Sequence, residues 1–95
     1  MNSRKAYEDK LKAQAQEWTA KIDQLKAKAS QADADARLEI QERIKDLEDA
    51  RNDAEGRLEE LASAGEDRWQ DLKKTADDAV AGVERKLSEA LDKVG

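Results

Sequence analysis

The chain has 95 residues, 43% of them charged and 38% apolar, with a formal net charge of −5. That is one domain at most, and a balance this polar fills narrow helical seams rather than a wide globular core. The negative charge discourages nucleic acid as a partner.

The opening residues, Met1–Lys10, carry charges where a signal peptide would place an apolar run. No segment approaches the roughly 18 consecutive apolar residues of a membrane span. The expected location is therefore cytoplasmic. From there apolar residues recur as Tyr7, Leu11, Ala15, Trp18, Ile22, Leu25, Ala29, Ala32, Ala36, Ile40, Ile44, Leu47, Ala54, Leu58 and Leu61. Every step is three or four except Leu47 to Ala54, where Arg51 holds the intervening seam position. This is a helical stripe, not strand alternation, and with Pro absent it makes the fold all-α. Spacing is heptad-like from Trp18 to Ala36. The steps through Ala32, Ala36 and Ile40 form a stutter that locally unwinds a coiled coil.

Residues 26–37 are alanine-rich and hold neither Gly nor Pro. Ser30 or Asp33 could cap a new helix there, but a lone Ser or Asp is a weak stop signal. The composition favours one continuous helix over about 3–63, roughly 90 Å long at 1.5 Å per residue. Its first half would then leave Trp18, Ile22 and Leu25 uncovered. A second copy could cover them by exchanging N-terminal halves, giving a domain-swapped homodimer. The alternative is a second turn near residues 30–35 and a monomeric three-helix bundle. Both arrangements give the same layers: Trp18 with Leu47 and Val83, Ile22 with Ile44 and Leu87, Leu25 with Ile40 and Leu91, Leu11 with Ala54 and Ala76.

The one strong break follows Leu61. Gly65 can take the left-handed conformation that ends a helix. Ser63 and Asp67 are candidate caps for the next helix. A reversal at 63–67 sets Leu61 opposite Trp69, Leu58 opposite Leu72, Ala54 opposite Ala76 and Leu47 opposite Val83. The last helix, about 67–94, continues the stripe through Trp69, Leu72, Ala76, Ala79 or Val80, Val83, Leu87, Ala90 or Leu91, and Val94. Gly56 and Gly82 fall inside helices and read as tolerated surface positions, although either would also permit a close helix approach.

Charge is spread unevenly. Residues 1–30 hold seven basic and four acidic side chains, net +3, whereas residues 31–63 hold five and eleven, net −6. These segments should attract each other, within one chain or between two. Residues 64–95 hold six and eight, net −2.

Candidate sites are few. Trp18, Trp69 and Tyr7 are the only aromatic residues and read as large seam residues before they read as a partner-binding patch. Arg51 could fix register and oligomeric state, or snorkel outward while Ala50 turns in. The carboxylate pairs Asp33/Asp35, Glu48/Asp49, Glu59/Glu60 and Asp77/Asp78 do not share a helix face, nor does a glycine-punctuated calcium loop surround them, so they read as solvated. Lys10, Lys12, Lys21, Lys26 and Lys28 form a basic series that could dock an anionic lipid surface beside the apolar stripe. The chain has no Cys and no His. That removes disulfides, thiolate metal sites and the commonest general base. With no Gly-rich phosphate loop, neither an enzyme, a cofactor nor a small-molecule substrate is expected.

The block Tyr7, Lys10-Leu11-Lys12-Ala13-Gln14, Glu17-Trp18, Ile22-Asp23, Leu25, Lys28-Ala29 and Ala34-Asp35-Ala36-Arg37 resembles a family of short bacterial coiled-coil proteins. The later block Leu58-Glu59-Glu60-Leu61, Ala64-Gly65 and Trp69-Gln70-Asp71-Leu72-Lys73 is similar to the same family, typed after a cyanobacterial stress-induced protein. The resemblance implies a small soluble helical protein linked to salt or osmotic stress, without assigned catalytic residues. The expected function is structural self-association, with reversible binding to a lipid surface as the alternative.

Overall fold

A computed structural model of the chain describes residues 3–94. The stripes form three helices: α1 (Ser3–Gln31), α2 (Ala34–Ser63) and α3 (Glu66–Val94). They stack side by side, each reversing on the one before, into a rod of 51 × 18 × 18 Å. The fold is all-α, with no strand among the described residues.

The turn at 63–67 falls where the pattern placed it. In the single chain the expected continuous helix over 3–63 is not formed: the chain turns at Ala32–Asp33 between α1 and α2. The alternative bundle, with its second turn near 30–35, is the arrangement observed. Burial explains why a chain without a second copy closes on itself. In one chain Trp18 is 1% exposed and Ile22 and Leu25 are fully buried. Each large side chain taken from water contributes about 1.5–3 kcal/mol, more than alanine-rich helix propensity gains by carrying α1 through two more residues. The cover that a second copy was expected to supply comes from the chain's own α2 and α3.

The core falls into two clusters. The larger gathers Trp18, Ile22, Leu25, Ala29, Ile40, Ile44, Leu47, Ala54, Val83, Leu87 and Ala90, with Leu91 packed against it. The three expected layers built on Trp18, Ile22 and Leu25 all lie within it. The smaller holds Leu11, Leu61, Trp69 and Ala76, with Tyr7, Leu58 and Leu72 packed against it. The fourth expected layer is therefore divided: Leu11 and Ala76 belong to the smaller cluster, Ala54 to the larger. Val80 packs against both. The side chain of Val94, the last expected seam position, lies outside the described residues, as does Gly95.

Candidate self-association site

Helix ends leave backbone groups without intrahelical partners, and the two turns satisfy them in related ways. At the first, Asp33 is extended (φ −70°, ψ 171°) and its carboxylate accepts from the Ala36 N–H at 3.0 Å. Asp33 is thus the N-cap of α2. Ser30 is not a cap; its hydroxyl donates back to the Ala27 carbonyl at 2.7 Å. Arg37 then reaches back across the turn. Its Nε donates to the Ala29 carbonyl at 3.2 Å and its terminal nitrogen to the Ala32 carbonyl at 3.2 Å.

The second turn differs from expectation at all three named residues. Gly65 is not left-handed: no described residue has a positive φ. Ala64 is the C-cap in an extended conformation (φ −76°, ψ 146°). Gly65 offers its carbonyl to the N–H groups of Arg68 and Trp69, at 3.1 and 3.0 Å, and so starts α3. Ser63 does not cap α3; its hydroxyl bonds to the carbonyls of Glu59 and Glu60 in the last turn of α2. Asp67 lies within the first turn of α3 beside Glu66, where negative charge suits the helix dipole. A guanidinium replaces the missing glycine cap. One terminal nitrogen of Arg4 donates to the carbonyls of Leu61, Ala62 and Ala64 at 3.1, 3.3 and 2.7 Å. The other pairs with Glu66 at 3.2 Å.

Around Arg4 the end of the rod carries an aromatic and cationic cluster. Arg4 lies 5.7 Å from the centre of the Trp69 ring, and Tyr7 meets Trp69 edge-on at 5.6 Å. Lys73 sits 5.0 Å from the Tyr7 ring and 5.9 Å from Trp69. The Tyr7 hydroxyl donates to Asp77. Burial, reinforced by the Asp77 carboxylate, holds this hydroxyl well above the usual phenol range.

Of the expected seam residues, Leu11, Trp18, Ile22, Leu25, Ile40, Ile44, Leu47, Leu61, Trp69, Val83 and Leu87 are buried. Tyr7, Arg51, Leu58, Leu72 and Leu91 are half-buried. Trp18 donates through Nε1 to Glu84 at 3.0 Å, whereas the buried Nε1 of Trp69 has no hydrogen-bond partner. At Arg51 the outward-snorkelling arrangement is the one observed. Ala50 packs against the larger cluster, and the half-buried Arg51 keeps an ion pair with Glu55 at 3.8 Å. The expected attraction between basic and acidic segments acts within one chain through Lys26 and Glu48, 3.3 Å apart. Of the carboxylate pairs, Asp33 and Asp77 serve as hydrogen-bond acceptors for Ala36 and Tyr7. Lys10, Lys12 and Lys28 are exposed.

Two arginine roles were missed in the sequence. Arg37 stands four residues after the Asp33 cap, and the bundle register sets Arg4 opposite Leu61, so spacing held the signal. Around the first turn an apolar surface also remains. Ala32 is half-buried and Ala36 exposed, although both lie on the stripe. They line an open cleft of about 400 Å³ between α1 and α2 together with Ile40, rimmed by Lys28, Gln31, Glu39 and Arg43. Nearby, Leu38 is 62% exposed, which is ordinary for a lone surface leucine.

These features define an antiparallel three-helix bundle with guanidinium-capped turns. No protein-family model, curated protein or solved structure matches the chain. No described helix is long and apolar enough to cross a membrane.

Proposed function

We propose that the chain is a non-enzymatic structural protein of the cytoplasm that works by helical association with itself. One observation carries this reading. The apolar stripe does not stop where α1 stops; it runs on through Ala32 and Ala36, which the single chain leaves half-buried and exposed. A seam that continues past its own turn offers surface to a second helix of matching register. The test is the mass in solution across a concentration series. The expected result is a rise from 10.6 kDa toward twice that value with helicity unchanged. A constant mass of 10.6 kDa up to the solubility limit would remove the reading.

The resemblance of the Tyr7–Arg37 and Leu58–Lys73 blocks to stress-induced coiled-coil proteins supports a protective setting. It is tested by whether the folded protein lowers the aggregation of a second enzyme during drying or salt shock. Lipid-surface binding has one observation in its favour: α3 separates its charged and apolar faces most cleanly of the three helices. Co-sedimentation with anionic vesicles at low salt tests it, and no binding would sink it.

A further inference from the structure

We infer that two copies of this chain exchange α1, with Ala32–Asp33 as the hinge and the Asp33 and Arg37 caps as the latch that holds the single chain closed. The inference rests on the self-association reading and names the segment that moves.

The two turns are unlike in their tolerance of a continuous helix. The second contains Gly65, which disfavours helix by about 1 kcal/mol relative to Ala. The first contains only Ala32 and Asp33, flanked by Ala29, Ser30, Ala34 and Ala36. Opening needs Asp33 to move from ψ 171° to the helical region. With the turn straightened, the carbonyls at the end of α1, two of them held by Arg37 in the closed chain, accept the N–H groups at the start of α2. The chain then becomes a rod from Ser3 to Ser63, and α1 leaves its own α2–α3 hairpin.

The hairpin left behind selects what replaces it. Its groove exposes the seam faces of Ile40, Ile44, Leu47, Val83 and Leu87, with Glu48 and Glu84 at the edge. A basic helix with Trp18, Ile22 and Leu25 in matching register fills it, and the second copy's α1 is such a helix.

A ligand or partner shifts an equilibrium only through contacts that differ between the two states. Arg4 makes the same bonds to the end of α2 whether that helix belongs to its own chain or to the partner, so it does not bias exchange. The Asp33–Ala36 bond and the Arg37 bonds to Ala29 and Ala32 exist only when the turn is closed. Removing a cap of this kind weakens one closed chain by a factor of about five, and two closed chains enter each dimer, so Asp33→Ala should strengthen dimerisation about 25-fold. Ala34→Pro should do the reverse. Position 34 is the first residue of α2, where Pro fits, and the extended Asp33 before it suits a pre-proline residue. In a continuous helix the same Pro would lose a hydrogen bond and clash with the preceding turn.

The test uses the full chain labelled at Lys12→Cys and Lys74→Cys, diluted into excess unlabelled protein and refolded at high concentration. The closed bundle keeps the labels within its 18 Å width plus linkers; exchange separates them to about 60 Å along the rod. The expected result is a dimer with the long intrachain distance, enriched by Asp33→Ala, abolished by Ala34→Pro, and unshifted by Arg4→Ala. A dimer that keeps the short distance overturns exchange while self-association stands. A monomer for the parent chain and for Asp33→Ala alike overturns both.

Discussion

Arg4 shows how much one side chain can organise. It contributes hydrogen bonds to two α2 carbonyls and to that of the Ala64 cap, forms an ion pair with α3, and covers the Trp69 ring. Hydrogen bonds from a charged donor are stronger than neutral ones, so Arg4→Ala should lower stability by about 1–3 kcal/mol in urea unfolding. Arg4→Lys should recover only part of this, because a single ammonium nitrogen cannot hold the α2 end and Glu66 from two separate donors as the guanidinium does. Tyr7 carries the pH dependence of the same end. Its folded pKa is raised, so its contribution is full below about pH 10, the unfolded value, and is lost as pH rises further. Thermal melts between neutral pH and high pH should show Tyr7→Phe less stable than the parent near neutrality and losing less on the alkaline side. An equal alkaline loss in both proteins would contradict this assignment.

The helices differ in what their glycines do. Gly56 and Gly82 lie inside α2 and α3, and an added Cβ would meet nothing within 4 Å. The close approach considered for these glycines is absent; Gly56 is exposed and Gly82 half-buried. Gly56→Ala and Gly82→Ala should each stabilise the bundle by about 1 kcal/mol. At Gly65 the left-handed expectation would make Ala strongly destabilising. The observed φ is not positive, and an added Cβ would meet only the exposed Asp67 Oδ1, at 3.1 Å. Gly65→Ala should therefore change stability by less than about 1 kcal/mol, measured as a denaturation midpoint.

Two clusters in one rod raise the question of cooperativity for the whole molecule. Trp18 reports the larger cluster and Trp69 the smaller. All three helices run through both, and Val80 packs against each. Unfolding should be two-state, with both clusters lost together. In Trp69→Phe the remaining fluorescence should share its urea midpoint with the helical signal, and so should that of Trp18→Phe. Separate midpoints would show that the smaller cluster opens on its own.

Seam spacing by itself determined the helical class, the turn after Leu61 and which large residues gather in the core with Trp18, Leu47 and Val83. These are properties of a repeating pattern, because a stripe must be buried whichever chain covers it. Tertiary structure decided where the chain bends and how the bends are held. Helix propensities around Ser30 differ by tenths of a kcal/mol per residue, too little to fix a turn there, whereas burying Trp18, Ile22 and Leu25 contributes several kcal/mol. At Gly65 the left-handed cap was displaced for a related reason: the carbonyls it would have satisfied are taken by Arg4, a side chain about sixty residues away that only the folded bundle brings to them.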